Sequence, residues 1–192
     1  MFFSNIAKEK VWIVEQLELT KEAFILCTIH RDSNTDNTEN LNQIIRGLLQ
    51  IQRVSNQSIV LPLHPRTRKK MTELLNPSVA KELSDNSKIH VIDPAGFLDM
   101  ISLESNCSLV ITDSGGVQKE AFFFQKPCVI LREQTEWVEI VENGNALLVG
   151  SSEEKLIKAY HQLTTKKDYT YPPFFGDGHA SEEICRLMLE HL

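Results

Sequence analysis

Six short apolar runs recur along the chain: FILCTI (24–29), IVLPL (59–63), IHVI (89–92), LVIT (109–112), CVIL (128–131) and ALLV (146–149). None alternates apolar with polar residues, so each suits a strand covered on both faces, as the strands of a parallel sheet are. Between them lie segments with helical spacing, such as Leu41, Ile44, Ile45, Leu48 and Leu49, then Ile101 and Leu103, then Val117, Ala121 and Phe122. Repeated β-α units joined by right-handed crossovers predict an α/β fold: a doubly wound, Rossmann-like parallel sheet with helices on both sides. At 192 residues the chain, 1–192, fits a single domain of this kind. Asp36 followed by Glu39 reads as a capping box for the helix beginning near Thr38. The tail departs from the repeat. DYTYPPFFGDGHA packs two prolines, two glycines and four aromatics into a connection, after which Ser181, Glu182 and Glu183 open a last helix to Leu192.

Apolar residues make up 42% of the chain and charged residues 24%, enough for a packed core. A net charge of -6 argues against nucleic acid as a partner, which needs a basic face. No apolar run reaches the ~18 to 20 residues of a membrane span, and MFFSNIAKEK lacks the basic start and apolar centre of a secretory signal, so a cytoplasmic protein is expected. The four cysteines, Cys27, Cys107, Cys128 and Cys185, are scattered without a Cys-x-x-Cys pair, which predicts neither disulfide nor metal site. Cys27 and Cys128 lie inside apolar runs and are read as small hydrophobes.

Open parallel sheets bind ligands beyond the carboxyl ends of their strands. His30 and Arg31 follow the first run, His64, Pro65 and Arg66 the second, and Asp93, Pro94, Ala95 and Gly96 the third. Asp113, Ser114, Gly115 and Gly116 follow the fourth, and Arg132 and Glu133 the fifth. This rim predicts a local positive site in an acidic chain, suited to a small phosphorylated ligand. Gly115 and Gly116 permit close backbone approach, and the following helix turns its free N–H groups and positive dipole end toward the bend, which reads as a phosphate cradle. Ser114 adds a hydroxyl, and Glu120, about one and a half turns on, is placed to accept from sugar hydroxyls. The competing reading is that the glycines only let a helix pack closely on the sheet. The turn lacks the spacing of G-x-G-x-x-G and the ending of a P-loop, which disfavours NAD and ATP hydrolysis. His90 reads as a core histidine, His161 and His191 as solvated, and Arg68, Lys69 and Lys70 as a wet helix face; His179 stands beside the FGDG turn.

The segments CTIHRDSNTDNTENL, LPLHPRTRKKM, IDPAGFLDMI, LVITDSGGVQKEA, TEWVEIVENGNALLVG and FGDGHASEEI occur in an order and spacing that resembles the non-hydrolysing UDP-N-acetylglucosamine 2-epimerases. The likeness runs from about Ile6 to Leu192 and covers only the carboxyl half of such an enzyme, the nucleotide-binding domain of a fold resembling GT-B glycosyltransferases. It implies a cytoplasmic isomerase of cell-surface polysaccharide biosynthesis. Such an enzyme binds UDP-GlcNAc between two domains, removes the C2 proton, expels UDP and adds it back to give UDP-ManNAc, without cofactor or metal. By motif, His30 resembles the catalytic histidine near the diphosphate. Ser114, Gly115 and Gly116 match the phosphate contacts, Glu120 the ribose glutamate, and Met100 the lining of the uracil pocket. Arg31 belongs to the substrate-binding set with them, and His64 matches a histidine near a second, regulatory nucleotide-sugar site of some bacterial members. Many bacterial members carry Arg-Pro after the TE glutamate, where this chain has Trp137 and Val138. The acids that move the C2 proton lie mostly in the other domain, so the resemblance implies that this chain alone binds without epimerising. Two other readings are a stand-alone nucleotide-sugar-binding module and the donor domain of a GT-B glycosyltransferase. The face toward the other domain, with Arg31, Met100 and the last helix, is expected to be exposed or covered by a second copy, as a homo-oligomer.

Overall fold

All six apolar runs become strands: β1 (Phe24–Thr28), β2 (Ser58–Pro62), β3 (Ile89–Ile92), β4 (Leu109–Thr112), β5 (Cys128–Ile130) and β6 (Ala146–Leu148). The computed structural model describes residues 12–176 and 178–190. The strands form one sheet in the order β3-β2-β1-β4-β5-β6, every neighbouring pair parallel. The chain thus winds outward from β1 to β3, returns beside β1 at β4, and winds outward again. That reversal puts the switch point between β1 and β4, where the following loops diverge and leave a crevice. The register sets Thr28 opposite Thr112, and their hydroxyls meet at 2.6 Å.

The helices are α1 (Trp12–Gln16), α2 (Asp32–Thr35), α3 (Thr38–Ser55), α4 (Pro65–Leu74), α5 (Pro77–Asp85), α6 (Phe97–Asn106), α7 (Gly115–Phe123), α8 (Val138–Glu142), α9 (Glu153–Thr165) and α10 (Ala180–Glu190). Successive strand residues point to opposite faces, and β1 divides its side chains accordingly. Ile25 and Cys27 join a core with Ile44 and Leu48 of α3, Met71 of α4, Leu83 of α5 and Leu156 of α9. Phe24 and Leu26 join a second core with Val14 of α1, Leu103 of α6, Phe122 of α7 and Ile140 of α8. Each fully buried Ile or Leu contributes about 1.5 to 3 kcal/mol. Gly47 lets α3 and α9 approach closely, since a Cβ there would lie 2.6 Å from Leu156 Cδ2.

The tail crosses the second face before reaching α10. Phe122 of α7 meets Tyr171, Phe174 and Phe175 at centroid distances of 5.3, 5.6 and 5.8 Å. Beyond that cluster α10 buries no side chain. Two sequence expectations change. Asn37, not Asp36, caps α3: its backbone is extended and its side chain accepts from Asn40 N at 3.0 Å. Asp36 instead ends α2 and pairs with Arg66 and Lys70. His90 is only half-buried, because β3 is an edge strand. His161 is exposed on α9 as expected, whereas His191 lies outside the described residues.

Candidate functional site

At the switch point the loop after β4 reaches across to the loop after β1 through a single carboxylate. Asp113 is fully buried. It accepts from His30 N at 3.1 Å, Arg31 N at 3.0 Å and Asn34 Nδ2 at 3.0 Å. His30 Nδ1 completes the set at 2.6 Å, and Arg31 Nε donates back to Asp113 O at 2.9 Å. Burial pushes the Asp113 carboxyl up, but the bonds from His30, Arg31 and Asn34 outweigh it and leave its pKa below the usual carboxylate value. The bond to Asp113 raises the His30 pKa above its ordinary value, against the opposing effect of desolvation. Both shifts favour the ion pair. With Nδ1 turned inward to Asp113, the other ring nitrogen of His30 is presented outward, on a side chain that is 51% exposed.

An open cavity of about 440 Å³ lies over this junction. His30, His64, Arg66, Met100, Ser114 and Val117 line it, contributed by the ends of β1, β2 and β4 and by α4, α6 and α7. Four of the residues expected at the site, His30, His64, Met100 and Ser114, thus share one cavity. His64 is the N-cap of α4, where Nδ1 accepts from Arg66 N at 3.3 Å.

Ser114 is the N-cap of α7: its Oγ accepts from Val117 N at 3.4 Å. Its own N–H goes to Thr112 Oγ1 at 2.9 Å, so the hydroxyl proton rather than the amide is what Ser114 offers a ligand. Gly115 and Gly116 are the first two helical residues, at the positive end of the dipole with N–H groups that have no carbonyl one turn earlier, and neither lines the cavity. Glu120 does not line the cavity. It lies one turn beyond Val117, and its charge adds to burial in raising the pKa of Glu104 on α6.

The rim is less positive than its arginines imply, because each guanidinium has an acid. Arg66 pairs with Asp32 at 2.7 Å and Asp36 at 2.5 Å, and Arg68 with Asp93 at 3.1 Å. Arg132 holds Glu136 through two bonds of 2.7 and 2.9 Å, which pull the Glu136 pKa down to about 2. Arg31 Nη2 stands 3.8 Å from the same carboxylate, and Arg31 does not line the cavity. What remains at this junction to attract an anion is the head of α7 and His30, whose hold on a proton Asp113 strengthens. Trp137 follows Glu136 and donates from Nε1 to Gly115 O at 2.7 Å. Lys119 lies 4.7 Å from the Trp137 ring and 4.6 Å from that of Phe175, joining the glycine turn to the crossing tail.

Asn34 and Glu104 were not singled out in the sequence, and Asp113 and Arg132 were read only as rim residues after strands, without the partners the structure gives them. The signal for Asp113 was its place between a central strand and a glycine turn, where an acid would repel a phosphate unless it faced the neighbouring loop.

A family model described as UDP-N-acetylglucosamine 2-epimerase matches residues 2–189. A UDP-N-acetylglucosamine 2-epimerase homolog of Methanococcus maripaludis is 40% identical over 95% of this chain and 49% of its own length. The UDP-2,3-diacetamido-2,3-dideoxy-D-glucuronate 2-epimerase of Pseudomonas aeruginosa is 40% identical over 98% of this chain and 49% of its own. The crystal structure of Methanocaldococcus jannaschii UDP-GlcNAc 2-epimerase in complex with UDP-GlcNAc and UDP superposes with a TM-score of 0.82 and 38% identity, covering 97% of this chain and 50% of that one. The chain spans about half the length of the curated relatives it matches. With the switch-point cavity and the glycine turn in the same places as the motifs, the chain belongs to the UDP-N-acetylglucosamine 2-epimerase family.

Proposed function

We propose that this chain is the nucleotide-binding half of a UDP-N-acetylglucosamine 2-epimerase and holds the UDP portion of UDP-GlcNAc. The carrying observation is the His30–Asp113 pair, 2.6 Å apart, standing beside the head of α7 at the switch point. The diphosphate sits at the N–H groups of Gly115 and Gly116 and takes the Ser114 hydroxyl proton. His30, kept cationic by Asp113, faces the phosphate nearer the sugar. When the C2 proton is removed and the C1–O bond breaks, the bonding electrons leave with UDP, and an imidazolium there stabilises the added charge. Re-addition of UDP to C1 on the face it left, with delivery of a proton to the opposite face of C2, gives UDP-ManNAc. Met100 borders the base, and Glu120 accepts from the ribose hydroxyls. Arg31 acts through Asp113 and Glu136 rather than by lining the cavity. His64 stands on the cavity wall, where it reaches the same ligand.

Two of the relatives are named for different UDP-sugars, which fits a half-site that reads the shared UDP and leaves sugar choice to the other half. The acids that move the C2 proton belong to that other half, so the isolated chain binds without turnover. We place the reaction in the cytoplasm; among the described residues no helix is long and apolar enough to cross a membrane. The exposed apolar side chains of α10 support a covering partner, either the amino-terminal half or a second copy. Calorimetric titration with UDP, UDP-GlcNAc and ADP tests the reading. Selective binding of the uridine ligands is expected, followed by epimerisation when the amino-terminal half of a relative is added. Equal affinity for ADP would point to a generic nucleotide module, and no binding would remove the assignment.

A further inference from the structure

Thr28 and Thr112 end the two central strands side by side, and their hydroxyl oxygens lie 2.6 Å apart, so one donates to the other. A hydroxyl has a single proton, and the surroundings of Thr112 decide which way the bond runs. Thr112 is fully buried, and its Oγ1 already accepts from Ser114 N at 2.9 Å. Were Thr28 the donor, the Thr112 proton would be shut inside the sheet with no acceptor among the described residues, a penalty that the opposite direction avoids. Thr112 therefore donates to Thr28.

That direction leaves the Thr28 proton unspent. Among the described residues Thr28 Oγ1 meets no polar atom except Thr112 Oγ1. Thr28 is not sealed in as Thr112 is: its side chain lines the switch-point cavity together with His30 and Ser114. Joining the strands does not account for the pair, because the preceding partners of the same ladder, Ile25 with Leu109, Leu26 with Val110 and Cys27 with Ile111, do so without a hydroxyl. The Ser114 amide points into the sheet rather than at a ligand. Through Thr112 and Thr28 its donor capacity is carried back to the cavity, and successive bonds of one sense polarise one another, which makes the last hydroxyl the stronger donor.

We infer that Thr28 is a ligand-binding residue of this site: its hydroxyl donates to a phosphate oxygen of the bound nucleoside diphosphate, at the end of a relay that starts at the Ser114 amide. The inference rests on the UDP reading made above. Valine at 28 keeps the shape and removes the hydroxyl, whereas serine keeps the hydroxyl.

The test is the affinity of wild type, Thr28→Val and Thr28→Ser for UDP and for uridine, which lacks phosphate, by NMR titration of the protein amides. Wild type is expected to bind UDP more tightly than uridine. Thr28→Val should lose roughly tenfold for UDP and less than about twofold for uridine, the scale of one hydrogen bond to a charged group, and Thr28→Ser should stay within about threefold of wild type for both. A Val variant with wild-type UDP affinity overturns the inference, as does one that loses both ligands equally, since Thr28 would then only support the strand ends. A Ser variant that loses as much UDP affinity as Val overturns it too. Each of these leaves the UDP reading intact. A wild type that binds neither ligand, or binds both equally, sinks the diphosphate reading and the inference with it. Should Thr28→Val fail to fold, Thr28→Ala takes its place, because its smaller side chain lets water from the open cavity accept the Thr112 proton; wild-type UDP affinity in that variant overturns the inference.

Discussion

Four donors converge on the Asp113 carboxylate: His30 N, His30 Nδ1, Arg31 N and Asn34 Nδ2. Asp113→Asn removes the charge and sets an amide among groups that all donate, so a loss of about 2 to 4 kcal/mol is expected in urea unfolding. The sign with pH follows from the two shifts. His30 has a folded pKa above its ordinary value, so its contribution is complete below about pH 6.5 and is lost as pH rises through the folded value. Asp113 has a folded pKa below its ordinary value, so its contribution is present above about pH 3.8 and is lost as pH falls through the folded value. In the Asn variant the His30 midpoint, followed by NMR, should move down; a midpoint unchanged from wild type would show that Asp113 does not set the charge of the ring. Glu104 behaves oppositely to a paired acid. Its folded state keeps a proton that the unfolded chain releases, so stability falls as pH rises from about 4.5 toward 9. Glu104→Gln should therefore stabilise the chain by roughly 1 to 3 kcal/mol at pH 7 and by almost nothing at pH 4; equal gains at both would refute the buried neutral acid. At this scale His30, Ser114 and Met100 were legible as residues after strands or in motifs. Glu104 was not, since its burial arises only when α6 is held between α1 and α7 on the sheet.

Helices and strands differ in how openly the sequence declares them. All six strands stood out because burial on both faces leaves an unbroken apolar run, and their edges fell within about two residues of the runs. The head of α3 was misread by one residue because Asp36, Asn37 and Thr38 are all capable caps, and the choice depends on which backbone is extended. Asp36 is drawn away by Arg66 and Lys70 from α4, a contact between segments about thirty residues apart. The consequence is testable: Asn37→Ala should cost about 1 kcal/mol, the usual worth of a cap. Asp36→Ala should cost less than about 0.5 kcal/mol, because it removes only half-exposed ion pairs. Chemical denaturation of the two variants, side by side, settles the assignment; the reverse order of losses would restore Asp36 as the cap. The rim charges were legible as residues but not as a field. Arg66, Arg68 and Arg132 each sit within reach of an acid that comes from elsewhere in the chain or from the next turn, and no single run of sequence displays those pairings.

At the scale of the whole molecule, α10 carries an apolar stripe that faces water. Ile184, Leu187 and Met188, at the spacing of one helix face, are 57%, 42% and 62% exposed, and neighbouring Leu189 is 76% exposed. A stripe of this kind on a helix that buries nothing is unstable as a free surface and recruits a partner. Because α10 adds nothing to either core, its stripe can be altered without touching the fold. The double substitution Ile184→Glu with Met188→Glu should leave the thermal midpoint within about 2 °C of wild type, since surface changes away from packed contacts stay within ~0.5 kcal/mol. Sedimentation velocity should then separate the two chains. Wild type is expected to associate as its concentration rises to about 100 μM, the micromolar range in which modest apolar contacts form, and the Glu variant to remain monomeric. The cavity at the switch point lies at the other end of this logic: no residue of α10 lines it, so UDP affinity should be equal in the two proteins. A wild type that stays monomeric throughout would mean that α10 is not a self-association surface. A Glu variant that loses UDP affinity would mean that association completes the site. Equal affinity with lost association would establish that nucleotide binding belongs to one copy and partner choice to α10.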